Sequence, residues 1–168
     1  MKSILATILL ICLLLPACGY RFSGGGSLPG EAGTISVSML QNRTSEVGIQ
    51  AKLTSDIVYE VTRRDSSRMV KPENADAVLS GIVKMVQDFD IAHTGTSTAS
   101  QRRVTITVDM KLERPDGTLL WSRNGLSGNE AYNVAVDRTR TEVNRQSAVA
   151  KLSKRMAEVI YKSITDDF

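Results

Sequence analysis

The chain has 168 residues, 42% hydrophobic and 23% charged, with a formal charge of +3, which is the composition of one globular domain with an ordinary surface. The charge is too small for a nucleic-acid-binding surface. Its two cysteines, Cys12 and Cys18, sit too near the start to frame a disulfide scaffold or a Cys-based zinc site in the remainder.

The first element is an apolar run from Ile4 to Leu15 behind Lys2. A run of that length fits the core of a secretion signal and is too short to span a bilayer, which takes about 20 residues. Leu15-Pro16-Ala17-Cys18 follows. A large aliphatic residue, then a small one directly before cysteine, is the lipoprotein-box pattern. The thiol is the group that forms a thioether to diacylglycerol, and cleavage before Cys18 frees the amine that is then acylated. Residues 1–17 therefore read as a cleaved signal peptide and Cys18 as the lipidated residue. Buried methylenes contribute about 0.8 kcal/mol each, so two or three chains such as palmitate hold firmly. Cys12 leaves with the signal. In lipoproteins that this segment resembles, Asp after the cysteine favours the inner membrane; Gly19 stands there instead, which favours the outer one. Residues 18–33 then read as a lipidated, flexible tether, because 23–34 (SGGGSLPGEAGT) is rich in glycine.

Residues 34–168 read as one domain. Alternation from Thr34 to Leu40, with Ile35, Val37 and Met39 on one face, predicts a first strand. A loop with Ser45 as N-cap leads to an amphipathic helix over about 47–64, from the spacing of Ile49, Leu53, Ile57 and Val61. Met69-Val70 reads as a short second strand. Ala77 to Ile91 reads as a long strand, with Leu79, Val83, Met85, Phe89 and Ile91 on one parity and Gly81 at a bend or bulge. Thr94 to Gln101 reads as a Ser/Thr/Gly loop. Arg102 to Glu113 alternates without a fault, which means a sheet covered on one side only. Pro115 and Gly117 make a turn, and Leu119 to about Asn129 is the return strand. A helical stripe over about 139–165 closes the chain. The order β-α-β-β-β-β-α predicts an α+β two-layer sandwich. Its sheet is mixed but mostly antiparallel, with both helices on one face and the other face polar and open.

Enzymatic chemistry finds little support in these residues. His93, the one histidine, falls in the polar loop with no second His or Cys near it to make a metal site. Asp88 and Asp90 alternate about Phe89 and so share a strand face. Such a pair suits acid/base work, but it also suits a solvated strand end, the plainer reading. Gly24-Gly25-Gly26 neither follows a strand nor opens a helix, so it is no phosphate loop. No catalytic residue, metal or cofactor is expected. Basic residues say more. Segment 137–162 carries seven Lys and Arg against three acids, a net +4; Arg102 and Arg103 start the fourth long element, and Arg123 lies on its return partner. Arginine pairs bidentately with phosphate, so these three are candidate contacts for a phosphorylated glycolipid.

CGYRF behind the lipobox, Leu28-Pro29 in the tether, and ISVSMLQNRTSEVGIQAKLTSDIVYEV resemble the lipopolysaccharide-assembly lipoproteins, the LptE family. The turn at Arg114–Gly117, the strand LLWSR and a basic closing helix also fit, so the resemblance spans nearly the whole mature chain. It implies a non-enzymatic outer-membrane lipoprotein that partners a β-barrel translocon (LptD-like) as plug and assembly factor. It also implies binding of lipopolysaccharide for delivery to the outer leaflet, with covalent diacylglycerol and N-acyl lipid on Cys18 and no other prosthetic group. Of the site residues, the resemblance carries over Cys18; Arg102, Arg103 and Arg123 rest on charge and position. The alternative is another outer-membrane lipoprotein with a strand–helix core, such as a peptidoglycan-synthase activator or a curli-type secretion lipoprotein.

Overall fold

The structure is a computed structural model that describes residues 27–94 and 98–165. The signal, Cys18 and the Gly24–Gly26 run lie outside the described residues. Strands β1 (Ile35–Val37) and β2 (Gln41–Asn42) lead through helix α1 (Ile49–Arg64) to β3 (Ala77–Thr94), β4 (Thr98–Glu113), β5 (Leu119–Asn133) and helix α2 (Arg138–Thr165). The sheet order is β1-β3-β4-β5, with β2 also on β3. Both β1 and β2 run parallel to β3, while β3–β4 and β4–β5 are antiparallel. The fold is the expected α+β sandwich with a mixed sheet.

The core lies between one sheet face and the two helices. Val104, Ile106, Val108, Met110 and Leu112 of β4 are all buried, as are Leu53 and Ile57 of α1 and Leu152, Met156 and Ile160 of α2. The helices run in the same direction, because their cross-links advance together: Arg145 pairs with Glu46 at 2.8 Å, Ser153 donates to Asp56 at 2.6 Å, and Arg64 lies 5.2 Å over the Tyr161 ring.

The structure corrects the expectations in five places. First, the initial strand breaks after Val37. Leu40 is buried and its N–H donates to Thr54 Oγ1 at 3.1 Å, while Met39, expected to share a face with the buried Ile35, is 63% exposed. The short strand expected at Met69-Val70 is a single bridge from Met69 to Ile35. Second, Ser45 does not cap α1. The residue before the helix is Gly48, in the left-handed region at φ 81°, with no side-chain cap. The preceding loop is held by its own side chains instead. Asn42 Oδ1 accepts from the Thr44 N–H at 2.9 Å and the Thr44 hydroxyl at 2.8 Å, and Asn42 Nδ2 donates to the Glu46 carbonyl at 2.8 Å, the local hydrogen bonding that Asn and Thr favour outside helices.

Third, the parity of β3 reverses within the strand. Val83 pairs with Val108 but Met85 with Thr107, so Lys84 is an extra residue. A bulge shifts every later side chain to the other face. Leu79 and Val83 are therefore buried, whereas Phe89 and Ile91 are 50% and 38% exposed and Val86 packs on the core instead. Gly81, the expected bend, has another role: a Cβ there would collide with Met110 Sδ and stand 2.6 Å from the Asp109 carbonyl.

Fourth, the expected loop over Thr94–Gln101 is mostly strand. Pairing continues to Thr94 with Thr98, and β5 continues to Asn133, because Thr carries β propensity as well as polarity. His93, expected in that loop, has strand backbone opposite Ala99. Fifth, the described part of the expected tether is packed. Leu28 and Ala32 are buried in the core around a 3-10 turn at Pro29–Glu31. Burial of these two side chains, with Asp76 Oδ2 accepting from the Gly33 and Thr34 N–H groups at 3.0 and 2.9 Å, holds the stretch against the domain.

Candidate functional site: the open sheet face and the hairpin end

Alternation along β4 sends Val104 through Leu112 toward the helices and Arg103, Thr105, Thr107, Asp109, Lys111 and Glu113 to the opposite face. No described element covers that second face. Its groups are tied laterally: Lys84 to Asp109 at 3.1 Å, Lys111 to Glu113 at 2.7 Å, and the Thr107 hydroxyl to Ser127 Oγ at 3.2 Å. Asp109 also accepts the Gly125 N–H at 2.8 Å, and this bond, with Lys84, holds its carboxyl below the usual carboxylate range. Gly125, at φ 68°, forms the bulge where β5 gains a residue on β4 between Val108 and Met110. Between the β2 end of the sheet and the β4–β5 turn, this face holds a shallow groove of about 660 Å³, lined by Met39, Arg43, Ile82, Lys111 and Leu119 among others.

At the other end, the β3–β4 hairpin beyond the Lys84 bulge carries the remaining candidates. Asp88 and Asp90 do share a face, the helix side, but each is engaged with a base. Asp90 accepts from Arg102 Nε at 2.7 Å. Asp88 accepts from the Tyr132 hydroxyl at 2.9 Å and from Arg145 Nε at 3.0 Å. Burial, then the bond to Asp88, pushes the Tyr132 phenol up to about 12. Arg145 also grips Glu46 with both terminal nitrogens, at 3.0 and 2.8 Å. One guanidinium thus joins the loop before α1, the strand β3 and the start of α2. Sequence reasoning missed this centre. Arg145 showed only as one of many basic residues in α2, and Glu46 not at all. These are the partners of structural ion pairs.

The three candidate arginines do not meet. Arg102 lies on the helix side beside Tyr132, its backbone partner on β5. Arg103, the next residue, points to the open face opposite Phe89. Arg123 is paired with Met110, eight residues along β4 from Arg102, a separation of about 26 Å at strand rise. Among the described residues no cluster of three His, Cys, Asp or Glu side chains could hold a metal ion, and no helix is long and apolar enough to cross a membrane.

Comparison with solved structures shows the same fold in other lipoproteins. The rare lipoprotein B from Shewanella oneidensis aligns with a TM-score of 0.56 at 12% identity, over 79% of this chain and 95% of that one. Lipoprotein B from Nitrosomonas europaea, solved in solution, gives 0.56 at 11% identity over 89% and 92%. A minor lipoprotein from Acinetobacter baumannii gives 0.51 at 16% identity over 80% and 92%. At these identities the likeness is one of fold. No curated protein matches the sequence significantly. The family described as LptE, lipopolysaccharide-assembly, matches residues 32–164, from the buried Ala32 ahead of β1 to the last turn of α2, and the chain belongs to it.

Proposed function

We propose that this protein is an outer-membrane lipoprotein, anchored through lipid on Cys18, that acts without catalysis. In this reading it partners a β-barrel translocon of the LptD kind as plug and assembly factor, and it binds lipopolysaccharide for delivery to the outer leaflet. The observation that carries the reading is the family match over residues 32–164. The polar open face of the sheet is consistent with it, since a domain seated in a polar barrel lumen presents polar surface. Arg102, Arg103 and Arg123 are the proposed contacts to glycolipid phosphates. They are proposed one by one, since Arg102 and Arg103 stand on opposite faces of the sheet and Arg123 lies about 26 Å along it from Arg102.

Two experiments test this reading. Lipidated protein extracted from its own membrane should bring down a large outer-membrane barrel, and Cys18→Ser should release the protein from the membrane fraction. Recovery of a peptidoglycan synthase instead of a barrel would overturn the partner assignment. Replacing Arg102, Arg103 and Arg123 together by Ala should weaken lipopolysaccharide binding about tenfold, since exposed ion pairs contribute up to about 1 kcal/mol each. The parent's binding should fall steeply with added salt. Unchanged binding removes these three residues from the contact surface.

A further inference from the structure

The outer edges of β5 and of the distal half of β3 differ. On β5 the carbonyls of Asn129 and Asn133 are already taken. They accept from Arg155 Nη2 at 2.8 Å and from Asn144 Nδ2 at 2.9 Å, both on α2. On β3 the cover stops early. β1 and β2 pair with it only as far as Val83, whose carbonyl accepts the Arg43 N–H at 3.0 Å. From Met85 to Asp90, between the irregularities at Lys84 and Ile91, its one paired neighbour is β4. Among the described residues, no hydrogen bond outside that ladder reaches the backbone of this stretch. Gln87, Asp88, Phe89 and Asp90 are all exposed. In an antiparallel pair every second residue turns its N–H and C=O away from the neighbour, so this edge presents a row of unmet donors and acceptors.

The two faces of the edge have different chemistry. Met85, Gln87 and Phe89 stand on the open face, opposite Thr107, Thr105 and Arg103. Val86, Asp88 and Asp90 stand on the helix side, opposite Ile106, Val104 and Arg102. There the carboxylates of Glu46, Asp88 and Asp90 outnumber the guanidiniums of Arg102 and Arg145 that hold them. The Asp90 side chain is 45% exposed, and its Oδ2 has no hydrogen-bond partner among the described residues. This charge decides between occupants. A second copy pairing antiparallel about Phe89 would set Asp88 against Asp90, and like charges directly opposite are destabilising. A strand that carries basic residues would satisfy both carboxylates, and its alternate apolar residues would cover Phe89.

We propose that the outer edge of Met85–Asp90 takes one extended strand from a partner protein, with Lys or Arg on the side of Asp88 and Asp90 and apolar residues on the side of Phe89. The added strand continues the sheet where β2 ends. The two carboxylates turn away acidic segments by repulsion and uniformly apolar ones by the cost of burying unpaired charge. The inference does not depend on the translocon reading.

The test uses the full chain in detergent and two synthetic peptides of about seven residues, long enough to span the edge. One alternates valine with lysine and the other valine with glutamate, each at about 1 mM so that weak binding registers. Amide hydrogen exchange is followed by mass spectrometry. The lysine peptide should slow exchange over Met85–Asp90 about fivefold and leave β5 unchanged, since only unmet N–H groups gain bonds. Asp90→Asn should weaken that peptide's binding about threefold to fivefold, the worth of an exposed ion pair. Unchanged exchange in the core of β4 reports that this variant is folded. Exchange over Met85–Asp90 that ignores the lysine peptide overturns the proposal. Equal protection by the glutamate peptide does so too, as does protection that rises with protein concentration alone, which would give the edge to a second copy. Because neither barrel nor glycolipid is present, failure here is separable from failure of the translocon reading.

Discussion

Arg145→Met is expected to cost the domain about 2–3 kcal/mol, read as a lowered denaturation midpoint in urea. The Arg145 side chain is only 18% exposed, and those of its partners Glu46 and Asp88 are 27% and 28% exposed. Removing the guanidinium leaves two half-buried carboxylates facing each other's charge. Breaking a fully buried pair costs about 3–5 kcal/mol, and the residual solvent contact lowers that figure. Met retains the apolar stem, so the loss reports the charge and not the packing. A double-mutant cycle with Glu46→Gln should show a coupling of about 1 kcal/mol or more. Amide exchange in β3 beyond Lys84 should accelerate as well, because Arg145 and Tyr132 tie that half of the hairpin to the rest. A loss below about 0.5 kcal/mol would reduce the centre to an ordinary surface pair.

The second large effect contrasts two glycines. Gly81→Ala should lower the melting temperature by about 4–10 °C, from an overpacking cost of about 1–3 kcal/mol. Gly128→Ala should cost less than about 1 kcal/mol, part of it offset by the reduced freedom of the unfolded chain. The difference lies in what each new methyl meets. At Gly81 one obstacle is the Asp109 carbonyl, 2.6 Å away, in a paired strand that cannot yield alone. At Gly128 the obstacles are Leu152 Cδ1 at 2.9 Å and Met156 Cγ at 3.2 Å, side-chain atoms that can rotate. Equal melting temperatures for the two variants would contradict this account.

These particulars mark what the amino-acid sequence discloses and what it hides. β4 was legible because each of its side chains faces one environment, so polarity and direction coincide from Val104 to Leu112. α2 was legible for the same reason, its stripe from Val149 to Ile164 matching the observed helix. β3 was not, because a bulge is a property of pairing between two strands and leaves no mark on Lys84 itself. Phe89 and Ile91 share a parity with Leu79 and Val83 along the sequence, and the bulge turns them to the other face. The start of α1 was misplaced because Asn42 and Thr44 spend their hydrogen bonds holding a loop, where Ser45 offered a more familiar cap. The candidate arginines followed from charge alone, and charge does not say which face a strand residue takes. Arg102 and Arg103, adjacent in the chain, therefore end on opposite sides of the sheet. The Arg145 centre joins residues about 40 to 100 positions apart, a separation that no local pattern records.

The shared direction of α1 and α2 has an electrostatic consequence. Antiparallel neighbours cancel their macrodipoles, whereas parallel ones add them, leaving about half a positive charge at each N-terminus and half a negative charge at each C-terminus. Carboxylates stand at the positive pole: Glu46 just ahead of α1, and Asp137, whose Oδ1 accepts the Thr139 N–H at 2.9 Å, at the start of α2. Bases stand at the negative pole, with Arg63 and Arg64 in the last turn of α1 and Lys162 in that of α2. The domain thus has a polar axis along its helices, and its end charges stabilise a stacking that the backbone dipoles alone would oppose.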